Sequence, residues 1–250
     1  MSLLDPLGEL LAEAAALAAA CEARGATLRL LGGVAVKATC PSSRVAPFAR
    51  ACADVDFVSS GMSAPVEAAF AERRWSGDRE FNLYNGDRRL IFHSPSGLKA
   101  DVFVGSFRMC HMVPLDGRLG SDDLALPLAE LLLTKLQVFE ICQKDLADAA
   151  CILADHETGE ADGDFVNTQA IASACAADWG LWRTVGDSLG ALAAWMQASA
   201  ASDEAKSRVA ARVAAIQAAI GAAPKSLRWK ARSAVGDRMK WYELPEEVER

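Results

Sequence analysis

The sequence predicts an α+β fold, with strands grouped in the first half of the chain and helices following. Three observations predict it. Strand-like apolar runs cluster between residues 27 and 104. Turn signals at Asn85-Gly86 and 94–97 separate several of them. From Pro127 onward, apolar residues recur at helical spacing.

The elements follow in order. Leu3, Leu4, Leu7, Leu10, Leu11, Ala14 and Leu17 share one face of a helix over 3–23, and Gly25 closes it. "TLRLLGG" (27–33) is a short strand running into a glycine pair, and "VAVKATC" starts a helix that stops before Pro41. Residues 42–50 are loop-like and basic, with Arg44 and Arg50. "DVDFV" (54–58) is a strand, and Ser63-Ala64-Pro65 opens a further helix with proline in its first turn. "FNLY", Asn85-Gly86 and "DRRLIF" read as a hairpin with a type I′ turn. "LKADVFVGSF" is another strand, carrying Asp101. Beyond Pro127 come two helices, with Asp145 as N-cap of the second. The polar stretch "ETGEADGD" (157–164) reads as a linker, and everything after Phe165 reads as Ala-rich helix. The expected division is a core over 1–125 and a helical region over 126–250.

Composition narrows the function classes. Of 250 residues, 52% are apolar and the net charge is −7, so general affinity for nucleic acid is excluded and any polyanion contact needs a local basic patch. One such run, residues 225–240, sets six basic residues against Asp237 and interleaves Trp229. With Trp241 just beyond, it reads as an amphipathic helix with its tryptophans inward, or else as an RNA-facing surface. Seven cysteines in odd number, without a C-x-x-C pair, argue for reduced thiols rather than disulfides or zinc. His93, His111 and His156 lack metal-ligand spacing. The acidic N-terminal segment lacks a basic leader, and no apolar run reaches the roughly 18 residues of a membrane span. The expectation is a soluble, cytoplasmic protein.

The chemistry resides in the acids. Asp54 and Asp56 stand two residues apart on one strand and therefore on one face, where like charges repel unless solvent or a cation separates them. Asp101 lies on a later strand. Adjacent strands run roughly 4.8 Å apart, so neighbouring placement would bring three carboxylates together as a hard oxygen site for Mg²⁺ or Mn²⁺. Gly32-Gly33, between a strand and a helix, permits backbone approach to a phosphate.

A glycine pair, Asp-x-Asp on a strand and a third Asp in an apolar strand together resemble the nucleotidyltransferase superfamily with the DNA polymerase β-type core. "KLQVFEICQKDLADAACIL" is similar to the Lys…Lys-Asp-x-x-Asp segment of its AbiEii-like branch, which includes toxins of toxin–antitoxin pairs. The likeness covers about residues 27–155. The family often has Gly-Ser where this chain has Gly32-Gly33, and the interval to Asp54 is longer than in minimal members, implying an inserted loop at about 41–50.

The resemblance implies a mixed β-sheet with flanking helices and a transfer of NMP from an NTP to a hydroxyl, with release of pyrophosphate. It implies that Asp54, Asp56 and Asp101 hold two metal ions, with Asp101 near enough to take the acceptor's proton. Lys135 and Lys144 would meet the triphosphate, and Asp145 and Asp148 would hold Lys135 or contact the nucleotide. The acceptor stays open among a small molecule, a tRNA end and a protein side chain. The alternative is the same fold serving as a binding protein or antitoxin partner with little turnover, and Lys135, Lys144, Asp145 and Asp148 read equally as an ion-paired helix face.

Overall fold

The computed structural model describes residues 6–115, 117–120 and 123–244. It is α+β, and its contacts divide it into two compact units. The first comprises residues 1–38, 51–107 and 115–126, and the second 39–50, 108–114 and 127–250.

Leu3 and Leu4 of the expected first helix lie outside the described residues; within them the first unit has helix α1 (Pro6–Glu22), after which Gly25 takes a positive φ, as the sequence predicts for its end. It continues with β1 (Leu28–Leu31), α2 (Gly32–Thr39), β2 (Asp54–Ser59), α3 (Ser63–Glu72), β3 (Ser76–Gly77), α4 (Arg79–Asn85), β4 (Arg89–His93) and β5 (Lys99–Val104). The five strands form one mixed sheet in the order β1-β2-β5-β4-β3. Within it β2 and β5 are parallel, and the other pairs antiparallel. Residues 124–126 close the β1 edge: Leu30 donates to the Leu124 carbonyl and Leu126 donates to the Leu30 carbonyl.

Alternation sorts the sheet into two faces. Leu28, Leu30, Val55, Phe57, Leu90, Phe92, Ala100 and Val102 share one. All are buried, and Phe57 and Phe92 both meet the ring of Phe70 from α3. That face is the core. The opposite face carries Asp54, Asp56, Lys99, Asp101 and Arg89.

Two expectations for the first half of the chain differ from the structure. "FNLY" is the end of helix α4 rather than a hairpin strand. Asp78 caps the helix by accepting from the Phe81 N–H, and Gly86 has φ −65°, whereas a type I′ turn needs positive φ at both central residues. The 41–50 insertion is partly ordered as a 3₁₀ helix, Pro41–Arg44, and belongs to the second unit.

The second unit is mainly helical. Helix α5 (Leu128–Leu136) is buried along its whole length, and α6 (Gln143–Asp155) packs on it. They are joined by α7 (Thr168–Ala177), α8 (Trp179–Ala198), α9 (Asp203–Ala222) and α10 (Leu227–Val235). Side-chain caps from Asn167, Asp178, Ser202 and Ser226 start the last four.

Two expectations fail here as well. Asp145 is not the N-cap of α6. Cys142 holds that place and Asp145 lies in the first turn, where its carboxylate faces the positive helix end. Residues 157–164 do not link units either. Thr158–Gly159 pairs in parallel with Val166–Asn167 inside the second unit.

In the 225–240 run, Trp229 donates to the Cys175 carbonyl and, just beyond the run, Trp241 donates to Thr184 Oγ1. Arg228, Lys230, Arg238 and Lys240 stay exposed. Both tryptophans turn inward, but the expected single helix does not form: α10 ends at Val235, and Trp241 lies beyond it outside any helix. Among the described residues, no helix is long and apolar enough to cross a membrane.

Candidate metal centre

Asp54 and Asp56 leave β2 on the sheet face opposite the core. In the parallel register Asp56 lies beside Asp101 of β5, and Asp54 beside Lys99. One carboxylate oxygen from each of Asp54, Asp56 and Asp101 lies within 4.8 Å of the others. Asp54 and Asp56 are half-buried, whereas Asp101 is only 2% exposed. The three acids that sequence spacing singled out are therefore brought together by the β2–β5 pairing.

Glycine makes the closeness possible. Gly32 begins α2 with φ +72°, and a Cβ there would fall 2.0 Å from Asp56 Oδ2. The carboxylate occupies the volume that any other residue would fill. It sits against the first residue of α2, where a negative charge is favoured.

The sequence reading missed two cations at this site. Arg89 of β4 donates to Asp101 Oδ1 through Nε (3.0 Å) and Nη2 (2.6 Å). Lys99 Nζ lies 2.9 Å from Asp101 Oδ2. A carboxylate this deeply buried needs such partners, since an uncompensated charge there costs several kcal/mol. Lys99 had a legible signal, for a lysine two residues before an aspartate shares its face on a strand. Arg89 had none, because its reach to Asp101 depends on strand order.

Gly33 follows Gly32 in the first turn of α2, and the remaining candidates, Lys135, Lys144, Asp145 and Asp148, lie in the second unit. Lys135 Nζ lies 2.9 Å from Asp148 Oδ2 and 3.2 Å from Asp145 Oδ1. Arg50 holds Asp148 with both arms of its guanidinium, Nε to Oδ1 at 2.9 Å and Nη2 to Oδ2 at 2.5 Å. Cys142 Sγ donates to Asp145 Oδ2 at 3.1 Å. Two cations thus meet two carboxylates. Burial pushes the Asp148 carboxyl up, but the hydrogen bonds from Arg50 and the charge of Lys135 outweigh it and hold the group below its ordinary value. Lys144 is exposed and makes no ion pair among the described residues. The structure therefore gathers Lys135, Asp145 and Asp148 into one network, adds Arg50, and leaves Lys144 out.

Among the described residues no histidine belongs to the donor group of Asp54, Asp56 and Asp101. His111 Nε2 bonds Thr184 Oγ1 at 2.8 Å, and burial holds its imidazole below the usual value. Among the described residues, Asp54, Asp56 and Asp101 form the one acidic or mixed-donor group of suitable spacing. No family model and no curated protein matches the chain.

Proposed function

We propose that the protein is a metal-dependent nucleotidyltransferase that moves a nucleoside monophosphate from an NTP to a hydroxyl acceptor. The observation that carries this reading is the convergence of Asp54, Asp56 and Asp101 from two parallel strands. Three anionic oxygens within 4.8 Å suit a hard divalent cation that keeps its other positions for water and phosphate, so the donor set fits Mg²⁺ or Mn²⁺. An ion bound there would supply charge stabilisation at the α-phosphate and a lowered pKa for the attacking hydroxyl.

The chain's own residues do the positioning. Asp54 and Asp56 present their oxygens side by side, and Gly32 leaves the space that Asp56 needs. Asp101 is oriented by the two N–H groups of Arg89. On this reading Asp101 would serve as a ligand and take the proton of an acceptor hydroxyl bound at the triad. The hydroxyl oxygen forms the new bond to the α-phosphorus, and pyrophosphate departs with the electrons of the broken bond. Lys135 enters this reading as part of a charge-balanced network with Arg50, Asp145 and Asp148.

Incubating the protein with Mg²⁺ and each α-labelled NTP, together with cell lysate or total RNA, should transfer label to one acceptor. Asp54→Asn and Asp56→Asn should abolish it. Calorimetry separates the alternatives. Mg²⁺-dependent NTP binding without transfer supports a binding or antitoxin-partner role on the same fold. No binding of any NTP overturns the nucleotide reading altogether.

A further inference from the structure

We propose that Lys99 is the resident counter-ion of the acidic triad: it yields Asp101 when a divalent ion binds and then meets the nucleotide's phosphates. This rests on the metal-dependent reading above. Lys99 and Asp101 are two residues apart on β5, and Lys99 is the register partner of Asp54, so its ammonium stands on the triad's own face. Both oxygens of Asp101 already have cationic partners, Arg89 at Oδ1 and Lys99 at Oδ2. A metal ligated by this carboxylate must share it or displace one of them.

The geometry says which one yields. Arg89 grips its oxygen through two N–H groups, and its guanidinium also lies over the rings of Phe81 and Phe103, at 5.8 and 5.2 Å from their centroids. Among the described residues the Lys99 ammonium makes one ion pair, on a flexible stem; exposure does not separate the two side chains, at 32% and 28%. A guanidinium fork is preorganised, whereas an ammonium is a mobile point charge. Lys99 therefore swings out at the smaller cost. Once released it remains beside Asp54 on the same face, and a triphosphate brought to the triad offers the negative charge that it has lost.

The test uses Mn²⁺ and ATP as probes in calorimetry on the full chain. Lys99→Met removes the competing charge, so Mn²⁺ should bind about tenfold more tightly than to the wild type. ATP should bind the Mn²⁺-saturated variant several-fold more weakly. A merely structural lysine would not move the two affinities in opposite directions. Lys99→Arg puts a more persistent partner on Asp101 and should weaken Mn²⁺ binding; it carries the test if Lys99→Met does not fold. Mn²⁺ affinity unchanged or lowered in Lys99→Met, affinity unchanged or raised in Lys99→Arg, or ATP affinity unchanged in Lys99→Met overturns the proposal. The two levels remain distinguishable. If Asp56→Asn abolishes Mn²⁺ binding while Lys99→Met leaves it unchanged, only the role of Lys99 fails. If the wild type binds no Mn²⁺, the metal-dependent reading fails with it.

Discussion

The first residue of helix α2 and the second acid of strand β2 are packed so closely that a methyl group on Gly32 would lie 2.0 Å from Asp56 Oδ2. Two costs follow for Gly32→Ala. One is the left-handed backbone at φ +72°, worth about 1 kcal/mol for a non-glycine residue. The other is eviction of the carboxylate from its place. Gly97 isolates the first cost, since it has φ +87° and a methyl group there would meet nothing within 4 Å. Gly97→Ala should therefore lose about 1 kcal/mol in urea unfolding and keep Mn²⁺ binding. Gly32→Ala should lose more and bind Mn²⁺ poorly or not at all. Equal losses with intact Mn²⁺ binding would show that Asp56 is not positioned by this contact.

Much of the site was legible because strand alternation is a local rule. It placed Asp54 and Asp56 on one face and identified Asp101 as an acid in an apolar strand. The pairing that unites them is not local. The β5 strand inserts between β2 and β4, and sequence order alone cannot place it there. The same limit hid Arg89, and it hid the Arg50–Asp148 pair, whose members are 98 positions apart. The inward packing of Trp229 and Trp241 was one of two readings that the mixture of aromatic and basic residues allowed, and only their partners, the Cys175 carbonyl and Thr184, decide between them. Asp145 was misassigned as a cap because an acid in the first helical turn and an acid at the cap look alike in sequence, and only backbone geometry separates them.

The Arg50–Asp148–Lys135 network should make stability depend on acid. The folded pKa of Asp148 lies below the ordinary 3.8. Its stabilising contribution is therefore complete above the unfolded value and lost as pH falls through the folded one. Asp148→Asn leaves Arg50 and Lys135 without that charge, and should cost about 3 kcal/mol at pH 7. Chemical unfolding from pH 7 down to 2 should show the gap between wild type and variant narrowing below about pH 4. A gap that stays constant across the range would mean that Asp148 is not held ionised by its partners.

The thiols should divide by burial. Among the described residues all seven cysteines are free, and only Cys142 is exposed. Burial pushes Cys40, Cys151 and Cys175 up to about 12, and Cys21 to about 11. Cys142 is raised too, by burial first and then by Asp145, but it remains accessible. Iodoacetamide on the native protein at pH 8 should modify Cys142 first and the partly exposed Cys52 next, with seven adducts by mass spectrometry only after unfolding. Early modification of Cys40 or Cys151 would contradict this packing.

The segment least legible in the sequence offers the sharpest test of the fold. β3 pairs with β4 for two residues, and the chain then turns away into α4, so Ile91 has no register partner in β3. Asn82 takes up the ladder there. Its Oδ1 accepts from the Ile91 N–H at 2.8 Å, and its Nδ2 donates at 3.1 Å to the Ile91 carbonyl, which also accepts from the Asp78 N–H. This side chain imitates a β-ladder from within a helix, which is why "FNLYNG" sits beside a sheet without joining it as a strand. Ile91 is 2% exposed, so water is a poor substitute for either bond. Asn82→Leu keeps helix propensity but orphans the Ile91 N–H and leaves its carbonyl to Asp78 alone, and should cost about 2 kcal/mol. Asn82→Asp keeps the acceptor and loses the donor, so it should fall between wild type and Asn82→Leu. Hydrogen exchange at the Ile91 amide should quicken in Asn82→Leu and far less in Asn82→Asp. Matching exchange in the two variants would mean that the Ile91 N–H does not depend on Asn82 Oδ1.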